Sequence, residues 1–298
     1  MLTGEYFVLD GALALALPTK LGQRLKVAEN ESGNFLDWQS LDSEGNTWFA
    51  SRFLLPELSA LGGTDGKICL RLETLLKTAH LLNPSFPGSK GVKASTFLEF
   101  PQAWGLGSSS TLVFLLSQWA EANPFDLLKN TFGGSGYDIA CAGANGPILY
   151  QKRTGEAFWE AVSFAPPFRE NLYFVYLNKK QNSREGIARY REKVKNSPHL
   201  LDEISKLSAQ ILTASSLADF EQIIAQHETI IGDALKLQRA KPLYFPDYWG
   251  EIKSLGAWGG DFVLATGNRT FDETKNYFQS KGHDIIFKYA DLILNSTK

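Results

Sequence analysis

The order of apolar segments predicts an α+β protein with two domains, residues 1–165 and 166–298. The boundary is placed at Pro166-Pro167, because paired prolines interrupt both helices and strand ladders. After the boundary, the apolar run at residues 172–177 has the composition of a buried strand, and two helical patterns follow it. Strand, helix and strand then end the chain. This order predicts a C-terminal ferredoxin-like domain, that is, a split β-α-β domain.

The first domain begins with strands that turn at Gly33-Asn34 and Gly45-Asn46. A helix is predicted near residues 67–82, because apolar residues recur there at helical spacing until Asn83-Pro84 stops it. A strand then ends at Phe100, and an apolar helix follows after a loop. The sequence therefore predicts an N-terminal β-α-β domain, which a strand around residues 148–152 closes. In the second domain, helices are predicted around residues 201–214 and 217–238, and a strand over 262–265.

The loop at residues 101–111 (Pro-Gln-Ala-Trp-Gly-Leu-Gly-Ser-Ser-Ser-Thr) joins that strand to that helix. Its glycines let the backbone turn N–H groups inward, and the helix start adds unpaired donors and the positive end of the dipole. Such a loop stabilises phosphate. The serine hydroxyls can also reach a magnesium ion. A serine-capped helix after a flexible turn is the alternative. The candidate phosphate-binding residues are Gly105, Leu106, Gly107, Ser108, Ser109 and Ser110.

Two further glycine-rich segments occur later in the chain, and neither a P-loop nor a dinucleotide-binding motif is present. Residues 133–138 (Gly-Gly-Ser-Gly-Tyr-Asp) lead into a short apolar run. Residues 256–261 (Gly-Ala-Trp-Gly-Gly-Asp) lead into the predicted strand at 262–265. Without further context, Asp138 could simply initiate a helix, and the later glycines could form a tight turn with no ligand.

Four segments in this order resemble the GHMP kinases, the small-molecule kinases named for galactose, homoserine, mevalonate and phosphomevalonate. They are Gly-Glu-Tyr-Phe-Val-Leu-Asp-Gly at residues 4–11, the loop at 101–110, Ser-Gly-Tyr-Asp at 135–138 and the loop at 256–261. Within the family, the segments most resemble phosphomevalonate kinase, with mevalonate kinase close behind. The resemblance implies a GHMP-kinase-like fold whose N-terminal domain binds the nucleotide.

The resemblance also implies that ATP and Mg²⁺ are used to phosphorylate mevalonate, phosphomevalonate or a related small acceptor. In phosphoryl transfer the protein mainly positions the reactants and stabilises the charge of the transition state. Asp138 is the expected catalytic carboxylate, and Ser109 is the expected protein ligand of the metal. A solvated charge run is the alternative account of residues 179–184. The expected acceptor-binding residues are Glu5, Ser135, Gly136, Ser183, Arg184, Gly256, Ala257 and Gly259.

Three departures from the family pattern occur, and the first two leave a non-catalytic relative that binds nucleotide or a metabolite as an alternative. Among enzymes, a sugar kinase of the same family is the main alternative. Only three residues precede Gly4, where relatives carry a strand with a lysine, so reduced or absent activity is expected if nothing replaces that charge. The magnesium-binding glutamate has no clear equivalent; Glu121 and Asp126 are candidates, with solvated helix-end charges as the alternative. Trp104 and Trp258 replace small residues and could narrow the cleft or stack on a ligand.

The composition is that of an ordinary soluble enzyme. The 298 residues are 44% hydrophobic and 21% charged, and the net charge is −2, which gives no basic surplus for nucleic acid or an anionic membrane. The longest early apolar run is too short for the about 20 residues that span a bilayer, so a cytoplasmic location is expected. Both cysteines, Cys69 and Cys141, are expected to be buried thiols, and His227 a semi-buried structural histidine.

Overall fold

A computed structural model describes residues 1–30, 33–88, 90–179, 183–194, 197–258 and 260–295, and it confirms a mixed α+β fold. The strands in this part of the chain are β1 (Ala14–Ala16), β2 (Gln23–Asn30), β3 (Phe35–Leu41), β4 (Thr47–Leu54), β5 (Ser59–Gly63), β6 (Gly91–Leu98), β7 (Ile148–Arg153), β8 (Glu156–Ala161), β9 (Leu172–Tyr176), β10 (Ile252–Ser254), β11 (Phe262–Thr266) and β12 (Ile286–Lys288).

The α-helices of the described residues are interspersed among these strands. They are α1 (Gly66–Leu82), α2 (Ser108–Trp119), α3 (Pro124–Lys129), α4 (Tyr137–Ala142), α5 (Ser183–Lys193), α6 (Pro198–Gln210), α7 (Leu217–Leu235), α8 (Ala240–Tyr244), α9 (Phe271–Ser280) and α10 (Tyr289–Leu292). In this described part, no helix combines the length and the apolar character needed to cross a membrane.

The chain forms two compact units. The larger unit consists of residues 1–20, 103–105 and 144–298, and the smaller unit of residues 21–102 and 106–143. The boundary predicted at residues 165 and 166 divides the sequence differently, since the chain enters and leaves the smaller unit twice. That boundary stays a prediction about the chain's domains.

In the smaller unit, a five-stranded sheet has the order β2-β6-β3-β4-β5, with β6 antiparallel to β2 and parallel to β3. Its core includes alternate residues of β3, such as Leu36 and Trp38, and the apolar face of α1. The carboxylate of Asp65 caps α1 by accepting the N–H groups of Lys67 and Ile68 at 2.8 and 3.0 Å. The helix predicted near 67–82 is therefore confirmed almost to the residue.

In the larger unit, a four-stranded antiparallel sheet has the order β10-β11-β9-β12. With the helices between its strands, this order is that of a ferredoxin-like domain, as predicted. Its two central strands, β9 and β11, are buried along their whole length, as their continuous apolar sequences indicated. A second sheet in this unit has the order β1-β7-β8.

The structure adds elements that the sequence patterns did not predict. Helix α5, which begins at Ser183, was not among the predicted helices. Strands β8 and β10 and the short helix α8 were also missed. Helix α6 begins at Pro198, three residues before the predicted start, because proline suits the first turn of a helix.

Candidate active site

The phosphate-loop candidates of the smaller unit open helix α2. Gly107 takes a left-handed conformation (φ 86°) just before the helix, and its carbonyl accepts the N–H groups of Ser110 and Thr111 at 3.0 Å each. The N–H groups of Ser108 and Ser109 lie in the first turn of the helix, so the helix itself offers them no carbonyl partner. A Cβ placed on Gly107 would meet nothing within 4 Å. The backbone is therefore open to close approach by an anion at the positive end of the α2 dipole.

The segment that carries Asp138 repeats this arrangement. Gly133, Gly134 and Gly136 all have positive φ, and Gly136 (φ 87°) precedes helix α4. The carbonyl of Gly136 accepts the N–H groups of Ile139 and Ala140 at 3.1 Å each. Asp138 thus lies in the first turn of α4, where a negative charge interacts favourably with the helix dipole.

Helix α4 packs directly against helix α2. At the end of α4, a Cβ on Gly143 would come within 2.7 Å of the Phe114 ring of α2, so the close approach requires a residue without a side chain. Burial raises the pKa of the Asp138 carboxyl, although a hydrogen bond with Tyr137 partly opposes the shift. The structure therefore places a more basic carboxylate on a helix that packs against the helix opened by the serine loop.

Cys141 lies on the same short helix as Asp138. Cys141 was predicted to be buried, but it is only partly buried. Burial still raises the pKa of its thiol to about 12. The other cysteine, Cys69, is buried in the core of the smaller unit, with its sulfur 3.1 Å from the hydroxyl of Ser51. Within the described residues, both cysteines are free of disulfide bonds.

Residues 103–105, the first half of the glycine loop, belong to the larger unit. The Trp104 ring contacts the rings of Tyr176, Phe262 and Phe287, with centroids 6.2, 6.0 and 5.4 Å apart. The hydroxyl of Tyr176 donates a hydrogen bond to the carbonyl of Ala103 at 3.0 Å. In this unit, Trp104 therefore packs on aromatic side chains of the ferredoxin-like sheet.

Glu5, the first predicted acceptor contact, is buried in the larger unit. One of its oxygens accepts a hydrogen bond from Nζ of Lys253 at 2.6 Å, and both side chains are at most 2% exposed. His227 Nε2 accepts the N–H of Gly4 at 2.9 Å, and Glu228 accepts the N–H of Ser254 at 3.0 Å. Glu5 is thus part of a buried charge cluster, and its contact with an acceptor stays a prediction.

Two residues of this cluster have strongly shifted pKa values. Burial and the nearby Glu5 raise the pKa of Glu228 to about 8, against the opposing effects of Lys253 and Ser254. Burial and Lys253 lower the pKa of His227 well below its usual value. At neutral pH the lowered pKa of His227 therefore favours the neutral imidazole, and the raised pKa of Glu228 favours its protonated form.

The third glycine loop follows β10 in the larger unit. Gly256 has φ 61° and Asp261 has φ 51°, while Gly256 and Ala257 are partly exposed. Trp258 is only 6% exposed and belongs to an apolar cluster with Phe7, so its ring is not available to stack on a ligand. Gly259 lies outside the described residues.

The remaining predicted acceptor residues lie at the starts of helices. Ser183 and Arg184 are the first two residues of α5, and both are exposed. Ser135 and Gly136 precede α4. The structure therefore presents all four at helix N-termini, where N–H groups and the dipole favour an anionic partner.

The metal candidates differ in how well they suit magnesium. Glu121 and Asp126 are exposed, at the end of α2 and in the first turn of α3 respectively. Among the described residues, no three or more His, Cys, Asp or Glu side chains are grouped as a metal site would need. Mg²⁺ usually keeps waters and binds one or two protein oxygens beside substrate phosphates. The hydroxyls at the start of α2 suit that type of site.

Two residues of the larger unit were missed by sequence reasoning. Lys253 is fully buried although it belongs to the most hydrophilic class of side chains. The only sequence feature that could have drawn attention to Lys253 was its position three residues before the third glycine loop. Tyr6 was read only as part of the Gly-Glu-Tyr motif, but its φ of 62° is unusual for a residue with a side chain.

No protein-family profile and no curated protein sequence shows a match to this chain. Solved structures do match its fold. Mevalonate kinase from Methanococcus jannaschii has a TM-score of 0.70 at 15% identity, covering 99% of this chain and 95% of that one. Phosphomevalonate kinase from Streptococcus pneumoniae, in complex with phosphomevalonate and AMPPNP, has a TM-score of 0.69 at 15% identity, covering 96% of each chain.

Galactokinase from Lactococcus lactis, in complex with galactose, is also similar in fold. Its TM-score is 0.62 at 15% identity, with coverage of 94% of this chain and 86% of that one. All three are GHMP kinases. The chain therefore has the fold of the GHMP kinases, and the resemblance predicted from four short segments is confirmed at the level of the fold.

Proposed function

We propose that this protein is an ATP-dependent kinase that transfers the γ-phosphoryl group to a small acceptor, with mevalonate and phosphomevalonate as the first candidates. The observation that carries the proposal is the packing of α4, with Asp138 in its first turn, against α2, which a glycine-serine loop opens. The fold shared with mevalonate and phosphomevalonate kinases supports the same conclusion.

The loop before α2 would hold the phosphates of ATP. The N–H groups of Ser108 and Ser109 would donate to phosphate oxygens, and the α2 dipole would favour their negative charge. Ser109 would also offer its hydroxyl to Mg²⁺. When bound, this ion neutralises charge on the phosphate oxygens and orients them. The fold of a phosphomevalonate kinase solved with AMPPNP is consistent with nucleotide binding by this chain.

Asp138 would act on the acceptor. An acceptor oxygen attacks the γ-phosphorus, the bond from that phosphorus to the β,γ-bridging oxygen breaks, and ADP leaves. If the nucleophile is a hydroxyl, its proton passes to the carboxylate of Asp138. Burial raises the pKa of this carboxyl, which makes the ionised form a better base. If the nucleophile is already an anionic phosphate, Asp138 would only orient it.

The acceptor-binding residues would be Glu5, Ser135, Gly136, Ser183, Arg184, Gly256, Ala257 and Gly259. Exposed Arg184 suits a phosphorylated acceptor, because a guanidinium group can bind phosphate with two parallel hydrogen bonds. A sugar is the second candidate acceptor, since kinases for heptose 1-phosphate and galactose share this fold.

The test is ADP release by the full chain with Mg²⁺ and ATP, against mevalonate, phosphomevalonate and a panel of sugars. Asp138→Asn is the active-site variant, and Asp219→Asn, at an exposed position in the first turn of α7, is its matched control. We expect acceptor-dependent turnover that Asp138→Asn loses and Asp219→Asn keeps. ATP binding without turnover on any acceptor would instead favour a non-catalytic nucleotide-binding protein.

A further inference from the structure

Tyr6 holds an unfavourable backbone conformation in the larger unit. Its φ and ψ are 62° and −48°, in a region that residues with a Cβ rarely adopt, and its side chain is 9% exposed. A conformation of this kind is unfavourable and persists only where the surroundings hold it. The contacts of the Tyr6 side chain show what holds it.

The Tyr6 hydroxyl meets two separate segments. Its oxygen accepts a hydrogen bond from the backbone N–H of Trp258, in the third glycine loop, at 3.3 Å. It also lies close to Gly186 of α5, where a Cβ would come within 2.4 Å of the hydroxyl oxygen. Position 186 therefore has to be glycine for α5 to approach Tyr6 this closely.

The Tyr6 ring is also fixed. It stacks on the ring of Tyr190, also on α5, with centroids 6.1 Å apart and an interplanar angle of 19°. The hydroxyl of Tyr190 donates to the Asp10 carboxylate at 2.7 Å, so the Tyr190 ring is itself anchored. Tyr6 is thus held between α5 and the third glycine loop by contacts from both.

Each segment that Tyr6 contacts carries proposed acceptor-binding residues. Arg184 lies two residues before Gly186 on α5, and Ala257 directly precedes Trp258. We propose that Tyr6 is a positioning residue, whose hydroxyl fixes the separation between the first turn of α5 and the third glycine loop. This inference rests on the proposed function, because it assigns these two segments to the acceptor side of the reaction.

Tyr6→Phe tests the proposal with little change of volume. It removes the acceptor for the Trp258 N–H while keeping the ring that stacks on Tyr190. We expect the KM for the acceptor to rise about fivefold, as for the loss of one hydrogen bond, with the KM for ATP unchanged. The matched control is Tyr289→Phe, which removes a hydroxyl from another buried tyrosine, one whose hydroxyl donates to the carbonyl of Phe164 at 2.8 Å. An unchanged acceptor KM in Tyr6→Phe would overturn the proposal.

Amide hydrogen exchange provides a readout that does not depend on turnover. In Tyr6→Phe, we expect faster exchange both at Trp258 and along the first turns of α5, and in the control Tyr289→Phe no change at Trp258. If wild-type protein phosphorylates no acceptor, the proposed function fails, and exchange still decides whether Tyr6 couples the two segments. Faster exchange at Trp258 alone, with α5 unaffected, would show that Tyr6 does not link them.

A double-mutant cycle measures the contact with α5. Gly186→Ala should destabilise wild-type protein, because its Cβ would meet the Tyr6 hydroxyl at 2.4 Å. In Tyr6→Phe the nearest remaining ring atom is Cε1 at 2.8 Å, so the same substitution should destabilise less. Equal losses in the two backgrounds would contradict the close approach on which the proposal depends.

Discussion

The carboxylate of Asp261 lies directly against the backbone of Gly105. A Cβ on Gly105 would be 2.4 Å from Cγ of Asp261 and 2.6 Å from each carboxylate oxygen. Two backbone hydrogen bonds fix the position of Asp261. Its N–H donates to the carbonyl of Lys179 at 2.6 Å, and its carbonyl accepts the N–H of Leu177 at 2.7 Å. Two glycine-rich loops far apart in sequence therefore meet at a point that admits no side chain.

Gly105→Ala is expected to destabilise the protein more than Gly107→Ala. Both glycines have positive φ, 66° and 86°, so both substitutions introduce backbone strain of about 1–2 kcal/mol. Only Gly105→Ala adds a clash, since nothing lies within 4 Å of a Cβ on Gly107. Urea unfolding of the two variants measures the difference.

The control for this prediction is the Asp261→Ala background, where the clashing atoms are gone. There, the extra loss caused by Gly105→Ala should largely disappear. If the loss stays the same, the carboxylate is not the group that excludes a side chain at position 105.

Asp138→Asn is expected to lower turnover about 10²- to 10⁴-fold, as for the loss of a general base, with ATP affinity nearly unchanged. The same variant should be more stable than wild type at neutral pH. The folded state raises the pKa of Asp138, so this group contributes stability at low pH that is lost as pH rises through the raised value. Denaturant unfolding at pH 4 and pH 7.5 checks the sign, since the gain should appear only at the higher pH.

Lys253→Met is expected to cost about 3–5 kcal/mol of folding free energy. It leaves the buried Glu5 carboxylate without its cation, and breaking one side of a buried ion pair is strongly destabilising. The matched control is Lys90→Met, whose partner Glu29 lies 2.9 Å away with both side chains more than 70% exposed. That change should cost about 1 kcal/mol or less.

A double variant separates charge from packing at position 253. Adding Glu5→Gln to Lys253→Met removes the uncompensated carboxylate, so part of the lost stability should return. No recovery would mean that the methionine side chain fits poorly, and that the ion pair is not the cause of the loss.

Glu228→Gln is expected to reduce the pH dependence of stability between pH 6.5 and 8.5. Folding raises the pKa of Glu228 to about 8, so the folded protein binds the proton of Glu228 more tightly than the unfolded chain does. The folded state therefore loses stability as the pH rises through that range. The pKa of His227 is lowered from its usual value of 6.5, so this histidine changes the stability only below that pH. Unfolding midpoints across this window should fall less steeply in the variant, and parallel curves would refute the assignment.

Much of the fold could be predicted from local sequence. The cap at Asp65 and the stop at Asn83 fix α1 through contacts within a few residues, and the continuous apolar runs identified β9 and β11. The helix α5 could not be predicted this way. It has a single fully buried side chain, Tyr190, so its sequence lacks an apolar stripe at helical spacing.

The candidate site could be predicted where its chemistry depends on local glycines, as at Gly107 and Gly136. It could not be predicted where residues act through distant partners. Lys253 and Glu5 are 248 positions apart, and no local pattern indicates that either will be buried with the other. The strain at Tyr6 was hidden for the same reason, since it is maintained by tertiary contacts.

The shifted pKa of Cys141 has a practical consequence for studying this protein. Because burial raises this pKa to about 12, little of the Cys141 thiolate is present at pH 7, and Cys69 is buried. Maleimide reagents, which react with thiolates, should therefore label the folded native chain slowly. A single cysteine introduced at an exposed position such as Glu192 could then carry a fluorescent probe without removal of either native cysteine.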